Sequence, residues 1–127
     1  MEHEEAVVRA FFPPQRRERY LGFLSTKKGR AKFISELWDF NAVDPKRVVA
    51  IPPSQQNRDS IAKLLSSMGA PPMCWVMSEN IELDARELEL EIALRATVGY
   101  EMGTIISCIP GKLAYFEDEG ERFILRR

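Results

Sequence analysis

Two short polar runs carry the residue types from which a small-ligand site is built. Ser54, Gln55, Gln56, Asn57, Arg58 and Asp59 follow one apolar run, and Ser78, Glu79 and Asn80 follow another. Set side by side at the open end of a parallel strand pair, Asn57, Arg58, Asp59, Ser78, Glu79 and Asn80 would offer amides, hydroxyls, a guanidinium and carboxylates near a helix N-terminus. Such a set suits a small polar or anionic ligand. Acid–base catalysis by two of the carboxylates would need one of them shifted toward neutral pH by burial or by its neighbour. The competing reading is structural: Ser54 or Asn57 caps a helix, and Gln55 and Gln56 fill a loop.

A second constellation is electrostatic. Residues 14–32 hold Arg16, Arg17, Arg19, Lys27, Lys28, Arg30 and Lys32 against Glu18 alone, whereas residues 79–121 hold eleven acidic side chains against Arg86, Arg95 and Lys112. The basic stretch could track phosphates, or dock an acidic protein surface such as the acidic segment of a second copy. A solvated helical face explains it more simply, because the chain as a whole carries a formal charge of −1 and nucleic-acid-binding domains are usually basic overall.

Other chemistry is absent or faint in the sequence. The single histidine is His3, so mechanisms built on a positioned imidazole have only a terminal residue to use. No dinucleotide-binding glycine pattern, phosphate-binding loop or calcium loop occurs, and Cys74 and Cys108 lack metal-knuckle or redox-pair spacing. Both cysteines read as reduced, buried fillers. Gly99 and Gly103 bracket a loop whose backbone could approach a ligand closely, but a helix terminator and a strand entry account for both. Phe11, Phe12, Tyr20, Phe23, Phe33, Trp38 and Phe40 crowd the N-terminal third. Core packing explains most of them, and Trp38 and Phe40 are the best candidates for a partner contact.

The elements that position these residues read off apolar spacing. Helices are expected over 4–12, 14–24 and from Ser25 or Thr26 to Asp39, the first ended by Pro13-Pro14. Residues 47–51 read as a strand, 58–68 as a helix with Gly69 at its end, and 73–77 as a second strand, which suggests a parallel β-α-β unit. Residues 86–94 alternate like a strand yet have helix-forming composition. They are split into a short extended piece and a helix from about Glu89 to Val98, ended by Gly99. Thr104–Ile109, Lys112–Glu117 and Glu121–Arg126 then form a three-stranded antiparallel meander.

The 127 residues therefore predict a single α+β domain: a helical layer over 1–40 packed on a mixed β-sheet with two helices over 46–127. A chain of this length buries enough surface to need no cofactor or metal for stability, and none is expected. The longest apolar run, Thr104 to Ile109, is too short to span a membrane, and the acidic N-terminus is unlike a targeting segment, so a cytoplasmic address is expected. The leading functional expectation is a non-enzymatic interaction or regulatory domain that binds a protein partner or itself. A binding protein or enzyme for a small polar or anionic ligand at 54–59 and 78–80 is the alternative, and nucleic-acid binding through 14–32 the third.

Overall fold

Apolar side chains at three- and four-residue steps need a surface to cover, and the N-terminal third supplies three such stripes. The computed structural model describes residues 2–37 and 42–127. In it α1 (Glu2–Phe11), α2 (Pro14–Leu24) and α3 (Lys27–Ser35) succeed one another with short turns. Val7, Val8 and Phe11 of α1 are fully buried, and Pro14 opens α2, where a missing N–H costs nothing. Thr26 caps α3 by accepting from the Gly29 N–H at 3.0 Å. Phe12, Tyr20 and Phe33 meet at ring-centroid distances of 5.0–5.6 Å and knit the three helices together. Trp38 and Phe40, the expected partner contacts, lie outside the described residues, as does the expected end of the third helix at Asp39.

The rest of the chain forms a six-stranded sheet with β1 (Val48–Ala50), β2 (Met73–Ser78), β3 (Arg86–Glu89), β4 (Thr104–Ile109), β5 (Leu113–Glu117) and β6 (Arg122–Arg126). The spatial order is β1-β6-β5-β4-β2-β3. The α+β class, the helical N-terminal layer and the C-terminal meander are as expected, and residues 86–94 do divide into β3 and a helix, α5 (Leu90–Thr97). The expectation of a mixed sheet with a parallel β-α-β unit is corrected. Every pairing is antiparallel. β1 and β2 run in the same direction, but β6, β5 and β4 lie between them, because Val48–Ala50 pairs with the last strand of the chain.

Both faces of the sheet are covered. Met77, Ile105, Ala114, Phe116, Phe123 and Leu125 face α1–α3. On the opposite face Cys74, Val76, Ile106, Cys108, Tyr115 and Ile124 pack beneath α5 and α4 (Arg58–Ser67). Double coverage explains why β4 and β5 are largely apolar on both faces rather than alternating. Cys74 and Cys108 are buried and unpaired, and burial pushes both thiols up to about 12.

The α2–α3 turn depends on one glycine. A Cβ on Gly29 would lie 2.5 Å from the Phe23 carbonyl oxygen and 2.9 Å from its Cα, so backbone rather than a movable side chain blocks it. Gly29→Ala is therefore expected to lower stability by about 1–3 kcal/mol, the usual cost of overpacking, despite alanine's higher helix propensity. Urea denaturation followed by circular dichroism measures it, and an unchanged or raised midpoint would contradict the close approach.

Candidate functional site

Arg30 of α3 makes two forked ion pairs. Its guanidinium donates to both carboxylate oxygens of Glu4 on α1, at 2.9 and 2.6 Å, and to both of Asp84 in the β2–β3 connection, at 2.6 and 3.0 Å. The Trp75 indole N–H on β2 donates to Glu4 at 2.9 Å, and the Ser78 N–H donates to Asp84 at 3.0 Å. Glu4 lies on the same helical stripe as Val7, Val8 and Phe11, which is why it is buried. The hydrogen bonds that Arg30 donates to Glu4, then those it donates to Asp84, raise its pKa above the ordinary value. One residue thereby ties two helices to the sheet and to a loop.

That loop belongs to a pair at one end of the sheet. Residues 79–85 leave β2 and residues 98–103 enter β4, and the two strands pair there through Ser78 and Thr104. The Ser78 and Thr104 hydroxyls lie 2.7 Å apart, and the Ser78 hydroxyl also accepts from the Asn80 N–H. Asn80 in turn accepts the Glu82 N–H on its side chain and the Leu83 and Asp84 N–H groups on its carbonyl. The Glu79 N–H donates to the Gly103 carbonyl and the Glu79 carboxylate accepts the Gly103 N–H at 2.8 Å. A Cβ at Gly103 would collide with that carboxylate and crowd Leu37.

The 98–103 loop is anchored a second time from beneath. Glu117, fully buried at the end of β5, accepts the N–H groups of Gly99 at 3.0 Å and Glu101 at 2.8 Å, together with the Tyr115 hydroxyl at 2.7 Å. Arg122 approaches its carboxylate at 3.4 Å. Burial, followed by the neighbouring Glu117 carboxylate, pushes the Tyr115 phenol far up, so it remains a donor. These bonds hold Glu101 at φ 58°, a left-handed conformation uncommon for a residue with a side chain. On this anchored backbone Tyr100 is 66% exposed and Met102 39%, and Ile81 on the neighbouring loop is 90% exposed.

The ligand site expected from sequence is not assembled as one. β1 and β2 are separated by four interstrand steps, about 19 Å at the usual sheet spacing, so 54–59 and 78–80 do not converge. Asn57 caps α4 by accepting the Ser60 N–H, and Arg58 pairs with Asp59 at 3.7 Å on the surface. Ser78, Glu79 and Asn80 instead bind the 98–103 loop and their own turn.

The basic stretch is likewise divided. Arg30 faces inward, Arg17 donates to the Phe12 carbonyl at 2.9 Å, and Arg16 is half-buried on α2. Arg19 and Lys32 both lie 5.3 Å from the centre of the Phe23 ring, while Lys27 and Lys28 are exposed at the start of α3. Glu4, Asp84, Glu117, Tyr100, Met102 and Ile81 were not singled out by sequence. Glu4 on an apolar stripe and Ile81 between Asn80 and Glu82 were the available signals.

An open groove of about 650 Å³ lies between α4, residues 70–73 and the start of α5, lined by Ala62, Pro72, Met73 and Leu90 and rimmed by Lys63 and Glu91. No helix among the described residues is long and apolar enough to cross a membrane. Among them, no three His, Cys, Asp or Glu side chains are grouped so as to hold a metal ion.

Two consequences are measurable. Arg30→Ala leaves two mostly buried carboxylates without their cation, and a stability loss of about 3 kcal/mol is expected, with Arg30→Lys intermediate because it keeps the charge and loses the fork. Denaturation midpoints of the two variants check this order. His3 sits against the sheet with Nδ1 2.7 Å from the Ser107 hydroxyl, and burial lowers its pKa below the ordinary 6.5, opposed by Glu2 and Glu87. The unfolded chain then binds the proton more readily than the folded one, so His3 contributes nothing above that pH and destabilises as pH falls through 6.5 toward the folded value. His3→Gln is expected to flatten the stability profile between pH 7 and 5, and a parallel profile would contradict the assignment.

Comparison with protein-family models, with curated proteins and with solved structures finds no match for this chain.

Proposed function

We propose that this domain is a non-enzymatic protein-interaction or regulatory module that recognises its partner through the paired loops 79–85 and 98–103. The observation that carries the reading is the combination at that end of the sheet: Ile81, Tyr100 and Met102 stand in solvent on a backbone fixed by Glu79, Glu117 and the Ser78–Thr104 contact. Exposed large side chains on a loop ordinarily lose conformational entropy on binding. A loop already fixed by buried hydrogen bonds has less to lose, which is how preorganised recognition surfaces gain affinity. Tyrosine and methionine are also enriched where interfaces are most buried.

The ionisable groups argue in the same direction. Glu4, Arg30 and Asp84 saturate one another, and the Tyr115–Glu117 pair is sealed beneath the loop that it holds. Their hydrogen bonds are made to one another and to the backbone and side chains of the fold. Two unpaired buried thiols suit a reducing compartment, which supports a cytoplasmic address. The small-ligand reading is favoured by a different feature, the groove between α4 and α5, whose volume falls within the range of ligand pockets.

Incorporating a photocrosslinking residue at position 100 of the full chain in its own cells, with position 112 at the opposite end of the sheet as control, tests the reading. A discrete protein adduct at 100 and none at 112 is expected. Tyr100→Ala, in the purified pair, is expected to weaken binding by roughly 30-fold, as truncating a central interface aromatic does. Equal labelling at both positions, or a bound small molecule in native mass spectra that Ala62→Trp in the groove displaces while position 100 stays unlabelled, would overturn it.

A further inference from the structure

The surface around the paired loops has a charge pattern that is complementary to another part of the same molecule. Glu82, Glu101, Glu119 and Glu121 are exposed on the connections at this end of the sheet, and none of them has a cation within 4 Å among the described residues. Arg19, Lys27, Lys28 and Lys32 are exposed on the α2–α3 hairpin, and among the described residues none of them has a carboxylate within that distance. Arg19 and Lys32 approach the same Phe23 ring at 5.3 Å each, so two like charges are held on one aromatic side chain. Such an arrangement is relieved by an incoming anion.

The two patches are neighbours. Arg30, two and three residues beyond Lys28 and Lys27, is bonded to Asp84, and Leu37, just past α3, sits against Gly103. α3 therefore runs beside both loops, which brings the exposed cations of the hairpin and the exposed carboxylates of the loops onto neighbouring parts of the surface. Resting on the reading of the loops as a recognition surface, we infer that their partner is a second copy of this chain, docked about a two-fold axis. The basic α2–α3 hairpin of each copy then faces the acidic loops of the other, with Ile81, Tyr100 and Met102 buried between them. Adjacent patches of opposite sign satisfy a two-fold axis twice over, once in each direction, and the assembly closes at a dimer. Charge complementarity of this kind sets orientation and association rate, while the three apolar side chains supply the buried centre.

Sedimentation of the full chain tests this directly. A species of twice the chain mass is expected at low salt, with association weakened by screening so that the dimer dissociation constant rises about tenfold or more at high salt. Lys27→Glu with Lys28→Glu, and separately Glu82→Lys with Glu101→Lys, are each expected to give monomers. Mixing the two variants is expected to restore a dimer, because every reversed charge then meets its opposite. All four positions are exposed, and circular dichroism verifies that the variants fold. A wild-type monomer at every salt concentration, a dimer indifferent to both reversals, or a mixture that stays monomeric would overturn the inference. A monomer that still gives a heterologous adduct at position 100 removes the second copy and keeps the recognition surface. A dimer without labelling at position 100 removes both.

Discussion

A guanidinium held by two carboxylates organises this molecule. Arg30 on α3 bonds α1 through Glu4 and the β2–β3 connection through Asp84, and the Trp75 indole fastens the same cluster to the sheet. Fork-to-fork geometry with both carboxylates gives direction as well as strength, so the cluster fixes how the helical layer lies on the sheet and not merely that it does. Apolar burial among Val8, Phe11, Phe12 and Phe33 drives the layer onto the sheet but is indifferent to small rotations. Since Asp84 also accepts the Ser78 N–H, the position of the exposed loop end is referred back to the same arginine.

The opposite face has its own anchor with the same logic. Glu117 is a buried carboxylate surrounded by donors: two backbone N–H groups, a phenol and a guanidinium. A buried charge so surrounded is tolerable only while every donor stays in place, which makes the 98–103 backbone rigid. Rigidity of a loop whose outward side chains are Tyr100 and Met102 is what links the packing of the core to a recognition surface. The fold thus uses its buried polar groups to hold apolar groups in water, the reverse of their usual distribution.

How much of this could be read in advance depended on the range of the interaction. Helix ends set by Pro14, Thr26, Asn57 and Gly69, and the split of 86–94 between Leu88 in a strand and Leu90, Ala93 and Leu94 in a helix, rest on neighbours in sequence and were legible. The partner of Val48–Ala50 was not, because a three-residue strand carries too little pattern to choose between β2 and β6. Arg30 reads in sequence as one more solvated cation because its partners stand 26 and 54 residues away. The glycines at 99 and 103 drew attention to their loop for the freedom of its backbone. Its meaning lies in Tyr100 and Met102, whose exposure follows from Glu117 and Glu79, contacts that no local pattern announces.

The claim that binds these observations is that the 98–103 loop is fixed in the free protein by carboxylates from below. Amide hydrogen exchange measured residue by residue on the isolated chain addresses it most directly. The account predicts that the Gly99, Glu101 and Gly103 amides exchange slowly, with opening free energies comparable to those of β4, although they lie in a connection at the surface. Exchange of these three amides at the rate of an unprotected loop would contradict it.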